Sequence, residues 1–248
     1  MSGHSKWSTI KRKKGVNDAK RGKLYTKLIR ELTVLARNGG DEEANPRLRA
    51  AVQNAKSANM PLQTIERAIK RGTGEEPGVV YEEAIFEGYG PGGIAIIVET
   101  LSDNHNRTVS DVRHAFTKHG GALAENGSVA WMFDQKGLIE VDAERVGEDD
   151  LMMAVMDAGA EDLQETEGVR EVICPLENFE AIKRALESSD IPYGQSSLAW
   201  LPQNLLNVDV NQALSSIKLL EALEDLDDVQ KVYSNFDMPE EDLEKLIA

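Results

Sequence analysis

The fold class is decided by the stretch from 137 to 201, which reads GLIEVDAERVGEDDLMMAVMDAGAEDLQETEGVREVICPLENFEAIKRALESSDIPYGQSSLAWL. Short β-branched and apolar runs alternate here with segments whose apolar residues recur at helical spacing. The pattern predicts strands and helices in the order β-α-β-β-α-β, the ferredoxin-like motif. Strands are predicted at 138–141, 161–166, 169–175 and 196–201, and helices at 149–158 and 176–188. We therefore expect a small α/β domain over 136–204.

The segments on either side of this domain are each incomplete by themselves. Before it, the pattern predicts strands and a helix at 81–88, 93–101, 108–118 and 128–133. After it, the pattern predicts a helix, a strand and a last helix at 210–223, 229–236 and 239–247. The tail is too small to fold alone, and the earlier segment is short by one helix and one strand. We therefore expect 77–135 and 205–248 to form one discontinuous α/β domain into which the ferredoxin-like domain is inserted.

The first 76 residues predict a three-helix bundle. Leucines at helical spacing mark the buried side of the first helix, and the signals for helix starts and ends are Asn caps, Pro at the first turn and Gly after the last. The helices begin near Asn17, Pro46 and Pro61, and Gly39-Gly40 and Gly72 end the first and the third. The fold class is therefore α+β, an N-terminal three-helix bundle plus two small α/β domains, one of them inserted into the other.

The charge of the chain is strongly segregated. The 248 residues carry a net charge of −15, but residues 1–73 carry 17 Lys or Arg against 6 Asp or Glu, a net of +11. The remaining residues carry 11 basic and 37 acidic side chains, a net of −26. Such asymmetry is typical of a protein that meets a polyanion at one end only. A single cysteine and short apolar runs favour a cytoplasmic protein with no intrachain disulfide and no membrane partner.

Cations crowd into residues 6–30, over an arm at 1–16 that has no hydrophobic periodicity and the first predicted helix. A helix with one apolar and one basic side can pack on its bundle and still present cations to phosphates. Trp7 stands among these cations, where an indole can stack on an unpaired base or fold back onto the bundle. The predicted nucleic-acid-binding residues are Lys6, Trp7, Lys11, Arg12, Lys13, Lys14, Lys20, Arg21, Lys23, Lys27 and Arg30.

The rest of the sequence carries little that predicts chemistry. Gly88, Gly90 and Gly93 match a dinucleotide-binding pattern only formally, because a strand follows them, and a hairpin turn is favoured. The histidines lack zinc-ligand spacing, and Cys174 is expected to be a buried structural thiol. The acidic run from 221 to 228 is expected to be a solvated helix face. We therefore predict no catalytic residue, metal, cofactor or small-molecule substrate.

The stretch SDNHNRT at 102–108 leaves two interpretations open. The first interpretation is a helix cap. The stretch lies between a predicted strand and a predicted helix, and Thr108 and Asp111 have the spacing of a helix-capping box. The alternative is a polar recognition loop that presents Asn104 and Arg107 to a partner.

Several motifs together resemble those of the YebC/PmpR family over essentially the whole chain. In the N-terminal part they are Gly3-His4-Ser5-Lys6-Trp7, Asp18–Lys23, Thr26–Glu31, Asn45–Arg49, Asn59-Met60-Pro61 and Ala68–Gly72. In the remainder they are Glu87–Gly93, Asp103-Asn104 with Asn106-Arg107-Thr108, and Gly127–Ala130. Ala124-Glu125-Asn126 departs from the small Gly-containing residues common in that loop.

The resemblance implies a helical first domain followed by two α/β domains, a cytoplasmic location and no enzymatic activity. It also implies a regulator of gene expression that binds nucleic acid, described in the family as a DNA-binding transcriptional regulator. The alternative within the family is a ribosome-associated translation factor that binds ribosomal RNA and relieves stalled translation. Either partner is a polyanion, so both alternatives assign the same task to the basic N-terminal residues.

Overall fold

The computed structural model describes residues 18–166 and 168–239, with side chains from residue 22 onward. The predicted arm at 1–16 and nearly all of the predicted last helix at 239–247 lie outside these residues. In chain order the helices are α1 Asp18–Leu35, α2 Pro46–Ser57, α3 Leu62–Thr73, α4 His105–Lys118, α5 Glu148–Val155, α6 Phe179–Ser188 and α7 Val210–Glu224. The longer strands are β1 Glu82–Tyr89, β2 Ala95–Ser102, β4 Phe133–Asp142, β5 Asp162–Thr166, β6 Val169–Pro175, β7 Ser196–Pro202 and β9 Val229–Ser234; two-residue strands are β3 Ala122–Leu123, β8 Leu206–Asn207 and β10 Phe236–Asp237. Among the described residues, no helix combines the length and the apolar character that crossing a bilayer requires.

The three N-terminal helices pack around one apolar core, and we call them the helical unit. A 3-10 turn, Ala36–Asn38, extends α1 as far as the predicted helix end. Asn45 caps α2 as predicted, because its side chain accepts a hydrogen bond from the amide of Leu48, and Pro46 is the first helical residue. The core consists mainly of Leu28, Leu32, Leu35, Leu48, Val52, Ala55, Met60, Ile65 and Ala68.

The prediction that Gly72 ends the third helix is wrong. Gly72 lies inside α3, and Gly74, with φ +84°, follows the last residue of that helix. A Cβ at Gly72 would stand 2.3 Å from the carbonyl oxygen of Thr33 and 2.6 Å from Cβ of Ala36. Glycine is therefore needed at this position for the close approach of α1 and α3, and not for a helix end.

The middle unit is a four-stranded antiparallel sheet with the order β3-β1-β2-β9. The helices α4 and α7 pack on one face of this sheet, in a core that includes Phe86, Ile96, Phe116, Leu220 and Val232. The segment after 204 thus supplies a strand and a helix to the same core as the segment from 82 to 123. A short turn, Pro91–Gly93, joins β1 to β2 as the predicted hairpin, and Gly92 and Gly93 have positive φ.

The third unit has the sheet order β5-β6-β4-β7, all antiparallel, with α5 and α6 on one face. With its chain order β-α-β-β-α-β, this is the ferredoxin-like arrangement predicted from the sequence. The protein is therefore of the α+β class. The division of the chain into domains at 76, 135 and 204 stays a prediction.

The predicted strands at 128–133 and 138–141 differ from the structure. One strand, β4, runs through from Phe133 to Asp142, and the residues before it form a loop and a 3-10 turn, Ala130–Met132. The apolar Val129 is fully buried, but its amide donates to the carboxylate of Glu87 at 2.7 Å and pairs with no strand. The loop is therefore held by a side-chain carboxylate, a contact that hydrophobic periodicity alone does not reveal.

The face of the first sheet that lies opposite its helices is where all three units meet. Trp200 of β7 packs against it and donates from Nε1 to Glu99 of β2 at 2.9 Å. Asn54 of α2 makes two hydrogen bonds with the backbone of Ser196, at 3.0 and 3.2 Å. This meeting place fixes the helical unit against both sheets and thereby fixes the direction in which α1 enters the molecule.

Candidate nucleic-acid interface

The predicted basic site falls into three groups. Lys6, Trp7, Lys11, Arg12, Lys13 and Lys14 lie outside the described residues. Lys20 and Arg21 lie in the first turn of α1, where the structure describes the backbone. Lys23, Lys27 and Arg30 follow along α1 with described side chains, so the geometry of the site rests on these three.

All three cations contact one stretch of the middle unit, residues 224–228, which we call the acidic segment. Nζ of Lys23 lies 3.0 Å from Oδ1 of Asp225 and 3.1 Å from the carbonyl oxygen of the same residue. Nζ of Lys27 donates to the carbonyl oxygen of Glu224 at 3.0 Å. The basic side of α1 therefore lies against carboxylates and carbonyls of its own chain, which the sequence did not predict.

Arg30 is the most deeply engaged of the three. Its Nη1 lies 2.9 Å from Oδ1 of Asp228 and also donates to the carbonyl oxygens of Asp227 and Leu101. The guanidinium stands over the ring of Tyr81, 5.3 Å from its centroid, in a cation–π contact. Only 14% of the Arg30 side chain and 8% of the Asp228 side chain are exposed. Arg30 therefore joins two units of the protein in this arrangement and is not open to a phosphate.

Asp228 is the centre of a polar network at this junction. Arg107 donates to both of its carboxylate oxygens, at 2.7 and 3.0 Å, and Thr108 donates at 2.8 Å. Burial raises the pKa of the Asp228 carboxyl, but the hydrogen bonds from Arg107 and Thr108 and the charges of Arg107 and Arg30 outweigh it. The net pKa lies below its ordinary value, so the carboxylate stays ionised and holds both guanidinium groups.

The expectation that the acidic run is a solvated helix face is therefore wrong for Asp228. The sequence pattern placed all five acidic residues on one exposed surface, because charge runs usually are exposed. In the structure the helix ends at Glu224, and the chain turns so that Asp228 enters the junction just before β9. Asp225 and Asp227 remain exposed.

The stretch at 102–108 contains the start of a helix, as predicted, but the residue that caps this helix differs from the predicted one. The side chain of Asn104 accepts from the amide of Arg107 at 3.1 Å, so Asn104 caps α4. Thr108 lies inside α4 and bonds to Asp228, so the predicted capping box of Thr108 with Asp111 is wrong. Arg107 is paired with Asp103 and Asp228 at 2.7 Å each. Both residues of the alternative recognition loop thus have partners within the chain.

A cleft of about 720 Å³ opens between α1, the start of α4 and the acidic segment. Its walls carry three cations, Lys23, Arg30 and Arg107, and each of them is paired with a carboxylate of the same cleft. Asp111 and Asp227 add further negative charge to the lining. The cleft is therefore not an open anion site, because a phosphate would compete with these carboxylates for the cations.

Known proteins with the same sequence features identify the chain. Residues 5–75 match the family model described as the TACO1/YebC protein N-terminal domain, and residues 81–236 match the one described as the TACO1/YebC second and third domain. The chain belongs to the TACO1/YebC family.

Relatives within the family match over their full lengths. A probable transcriptional regulatory protein of Desulfotalea psychrophila is 54% identical over 99% of both chains. A protein of the same description from Syntrophus aciditrophicus is 52% identical over 100% of both chains. The crystal structure of a conserved hypothetical protein from Aquifex aeolicus superposes with a TM-score of 0.84 at 48% identity, and the match covers 90% of this chain and 93% of that one.

The cysteine and the histidines, which are the other side chains that could carry chemistry, have structural roles or no partners for catalysis among the described residues. Cys174 is fully buried, and burial, together with the charge of Glu161, raises the pKa of its thiol to about 11, as expected of a structural thiol. Within 18–166 and 168–239, no group of three or more His, Cys, Asp or Glu side chains is placed to hold a metal ion. His105 stacks on Phe86 with the ring centroids 5.8 Å apart.

The residue that sequence reasoning missed is Asp228. It follows Asp227 in a polar stretch between a helix and a strand, and nothing local distinguishes one from the other. The available signal was that a block of cations in α1 and a block of carboxylates at 221–228 have opposite charge. That signal indicates a possible contact, but the residues to be paired are about 200 positions apart in sequence, and only the fold selects them.

Proposed function

We propose that this protein is a non-enzymatic regulator of gene expression that binds nucleic acid through its N-terminal residues. The observation that carries the proposal is the charge segregation, a net of +11 over residues 1–73 against −26 over the rest. A body of such negative charge repels phosphates, so a polynucleotide is captured at the basic end. The relatives named above are described as probable transcriptional regulatory proteins, which supports regulation of transcription as the process.

Within this end we assign the first contacts to the cations that precede Lys23. These are Lys6, Lys11, Arg12, Lys13, Lys14, Lys20 and Arg21, with Trp7 among them. Lys23 is the next cation that we expect to contact a phosphate. Its side chain is 46% exposed, and its ion pair with Asp225 is a weak surface pair. Arg30 supports the site by holding α1 against the middle unit.

The proposal excludes a role in catalysis and places the protein in the cytoplasm, with a polynucleotide as its partner. A regulator of this kind needs no acid, base or nucleophile, because neutralised phosphates and released counterions supply the affinity. We therefore expect log affinity to fall linearly with log salt, with a slope of roughly −4 to −7 for about five to eight phosphate contacts.

The test replaces Lys11, Arg12, Lys13 and Lys14 with Gln and measures binding to RNA and to duplex DNA by fluorescence anisotropy. The matched control replaces four exposed cations of α2 and α3, Lys56, Arg67, Lys70 and Arg71, and so changes the net charge equally. We expect the arm variant to lose binding and the control to retain most of it. Equal losses in both variants would show that net charge matters and the arm does not.

The process is tested by crosslinking in cells, followed by sequencing of both RNA and DNA. Enrichment of promoter DNA supports regulation of transcription. Enrichment of ribosomal RNA without DNA contradicts it and assigns the same basic end to the ribosome.

A further inference from the structure

Trp131, far along the chain from Trp7, is an exposed aromatic side chain that is held in a fixed position. Trp131 is 68% exposed and lies in the 3-10 turn Ala130–Met132 that precedes β4. Exposed single hydrophobic side chains are common and by themselves mean little. The way in which this one is held is what distinguishes it.

Two aromatic residues are fastened to one backbone oxygen. Nε1 of Trp131 donates to the carbonyl oxygen of Ser128 at 3.0 Å, and the hydroxyl of Tyr89 donates to the same oxygen at 2.9 Å. Their polar ends therefore lie side by side, and both side chains are held at their polar atoms. Tyr89 is itself 36% exposed.

The loop that carries Ser128 is anchored by a carboxylate. Glu87 is 4% exposed, and its side chain accepts from the amides of Gly127, Val129 and Ala130 at 2.6, 2.7 and 2.8 Å. Three charge-assisted hydrogen bonds of this length make a strong clamp. On the other side, the amide of Gln203 donates to the carbonyl oxygen of Met132 at 2.9 Å. The turn that bears Trp131 is therefore fixed on both sides of the indole.

A rigid exposed indole loses little conformational entropy when a ligand covers it, so it is prepared for binding before the ligand arrives. A flat π-face suits another flat ring, and any of the nucleobases can stack on it. A base can do so only when it is unpaired, since both faces of a paired base are already covered in a duplex.

The surroundings favour a base over a protein partner. A protein interface needs about 800 Å² per partner, which Trp131 and Tyr89, 68% and 36% exposed, do not supply by themselves. The exposed carboxylates of Glu125 and Asp134 flank the turn and repel phosphate. A strand must therefore lie with a base inward on the indole and its phosphates outward.

We propose that Trp131, supported by Tyr89, is a stacking platform for an unpaired nucleobase of a single-stranded polynucleotide. The inference rests on the proposed function, because the basic N-terminal residues supply the capture of phosphates and the platform adds a contact that duplexes cannot make. The bound polynucleotide is thus single-stranded at the platform, and RNA and DNA strands differ there through their sugars and through the methyl group of thymine.

The test compares binding of the full chain to a labelled oligouridylate of about 15 nucleotides, to the DNA strand of equivalent sequence, and to a duplex of equal length. We expect Trp131→Ala to weaken binding of the single strands by about five- to 100-fold and to leave duplex binding unchanged. Trp131→Phe keeps a ring and should restore most of the affinity. Met153→Ala, in α5, removes a side chain of similar exposure (72%) and serves as the matched control.

Equal single-strand affinity for Trp131→Ala and the unaltered protein overturns the platform, and so does a loss shared equally with the duplex. If the arm variant loses binding in that same experiment, the proposed function stands without the platform. Failure of the unaltered protein to bind any polynucleotide overturns the proposed function, and the platform with it. The thermal unfolding midpoints of Trp131→Ala and Trp131→Phe are measured as well. If both equal that of the unaltered protein, a loss of affinity is not caused by unfolding.

Discussion

Nη1 of Arg30 lies 2.9 Å from Oδ1 of Asp228, and this ion pair ties the first helix to the strand at the edge of the first sheet. Arg107 bonds to the same carboxylate from the start of α4. One acidic side chain therefore holds together three elements that are distant in sequence. The orientation of the basic end relative to the acidic body therefore depends on this carboxylate.

Asp228→Asn should destabilise the protein by about 3 kcal/mol, because it leaves two arginines without their shared carboxylate. In a chain of this size that loss lowers the midpoint of thermal unfolding by about 6–10 °C. Asp227→Asn makes the same change of charge at the adjacent position, where the side chain is exposed and Arg30 contacts only the carbonyl oxygen. Thermal unfolding of both variants checks the prediction, and equal midpoints would contradict the central role of Asp228.

Asp225→Asn should strengthen binding of nucleic acid. The substitution releases Lys23 from its ion pair, so a phosphate can occupy the place of the carboxylate. Because the pair is exposed and worth at most about 1 kcal/mol, the affinity should rise about two- to fivefold, and the salt slope should steepen by about one unit. Glu148→Gln in the third unit removes one negative charge without touching α1. An identical gain in that control would assign the effect to net charge alone.

The elements of this fold could be predicted well from the sequence, because their signals are local. Asn45 before Pro46, the apolar run within 169–175 and the order of the ferredoxin-like unit all depend on neighbours within a few residues. The errors have non-local causes. Gly72 allows the close approach of a neighbouring helix, and the carboxylate of Glu87 accepts from the amide of Val129. Neither contact leaves a periodic signal.

The sequence predicts the positive charge of the candidate site but does not predict which residues its cations contact. Counting charges along the chain identifies a basic end, since that property needs no fold. The partners of Lys23, Lys27 and Arg30 lie about 200 residues away, so their engagement depends on how the helical unit sits on the first sheet. The exposure and the anchoring of Trp131 are likewise properties of the folded loop, so no local pattern in the sequence indicates them.

The clamp on the 127–130 loop should make stability depend on pH in the acidic range. Burial raises the pKa of Glu87, but the hydrogen bonds from the backbone amides of Gly127, Val129 and Ala130 outweigh it, so the net pKa is lowered. A carboxylate with a depressed pKa in the folded state contributes fully above its unfolded value, near 4.5, and loses that contribution as the pH falls through the folded value. Glu87→Gln should cost about 2 kcal/mol at pH 7, and the difference from the unaltered protein should shrink below about pH 4. Urea unfolding at pH 7, 5, 4 and 3 measures it. A difference that stays constant over this range would contradict the ionised clamp.

The close approach of α1 and α3 predicts opposite effects for the same substitution at two helical glycines. Gly72→Ala places a methyl group 2.3 Å from the carbonyl oxygen of Thr33, so the helices must separate at a cost of about 1–3 kcal/mol. Gly22, in α1, has no atom within 4 Å of an added Cβ, so Gly22→Ala should stabilise by about 0.5–1 kcal/mol through the better helix propensity of alanine. Urea unfolding of the two variants measures both signs.

Because a separation of α1 from α3 also shifts the basic end, Gly72→Ala should weaken nucleic-acid binding as well, whereas Gly22→Ala should not. A stable Gly72→Ala protein with unchanged binding would mean that the two helices do not need this contact to position the N-terminal cations.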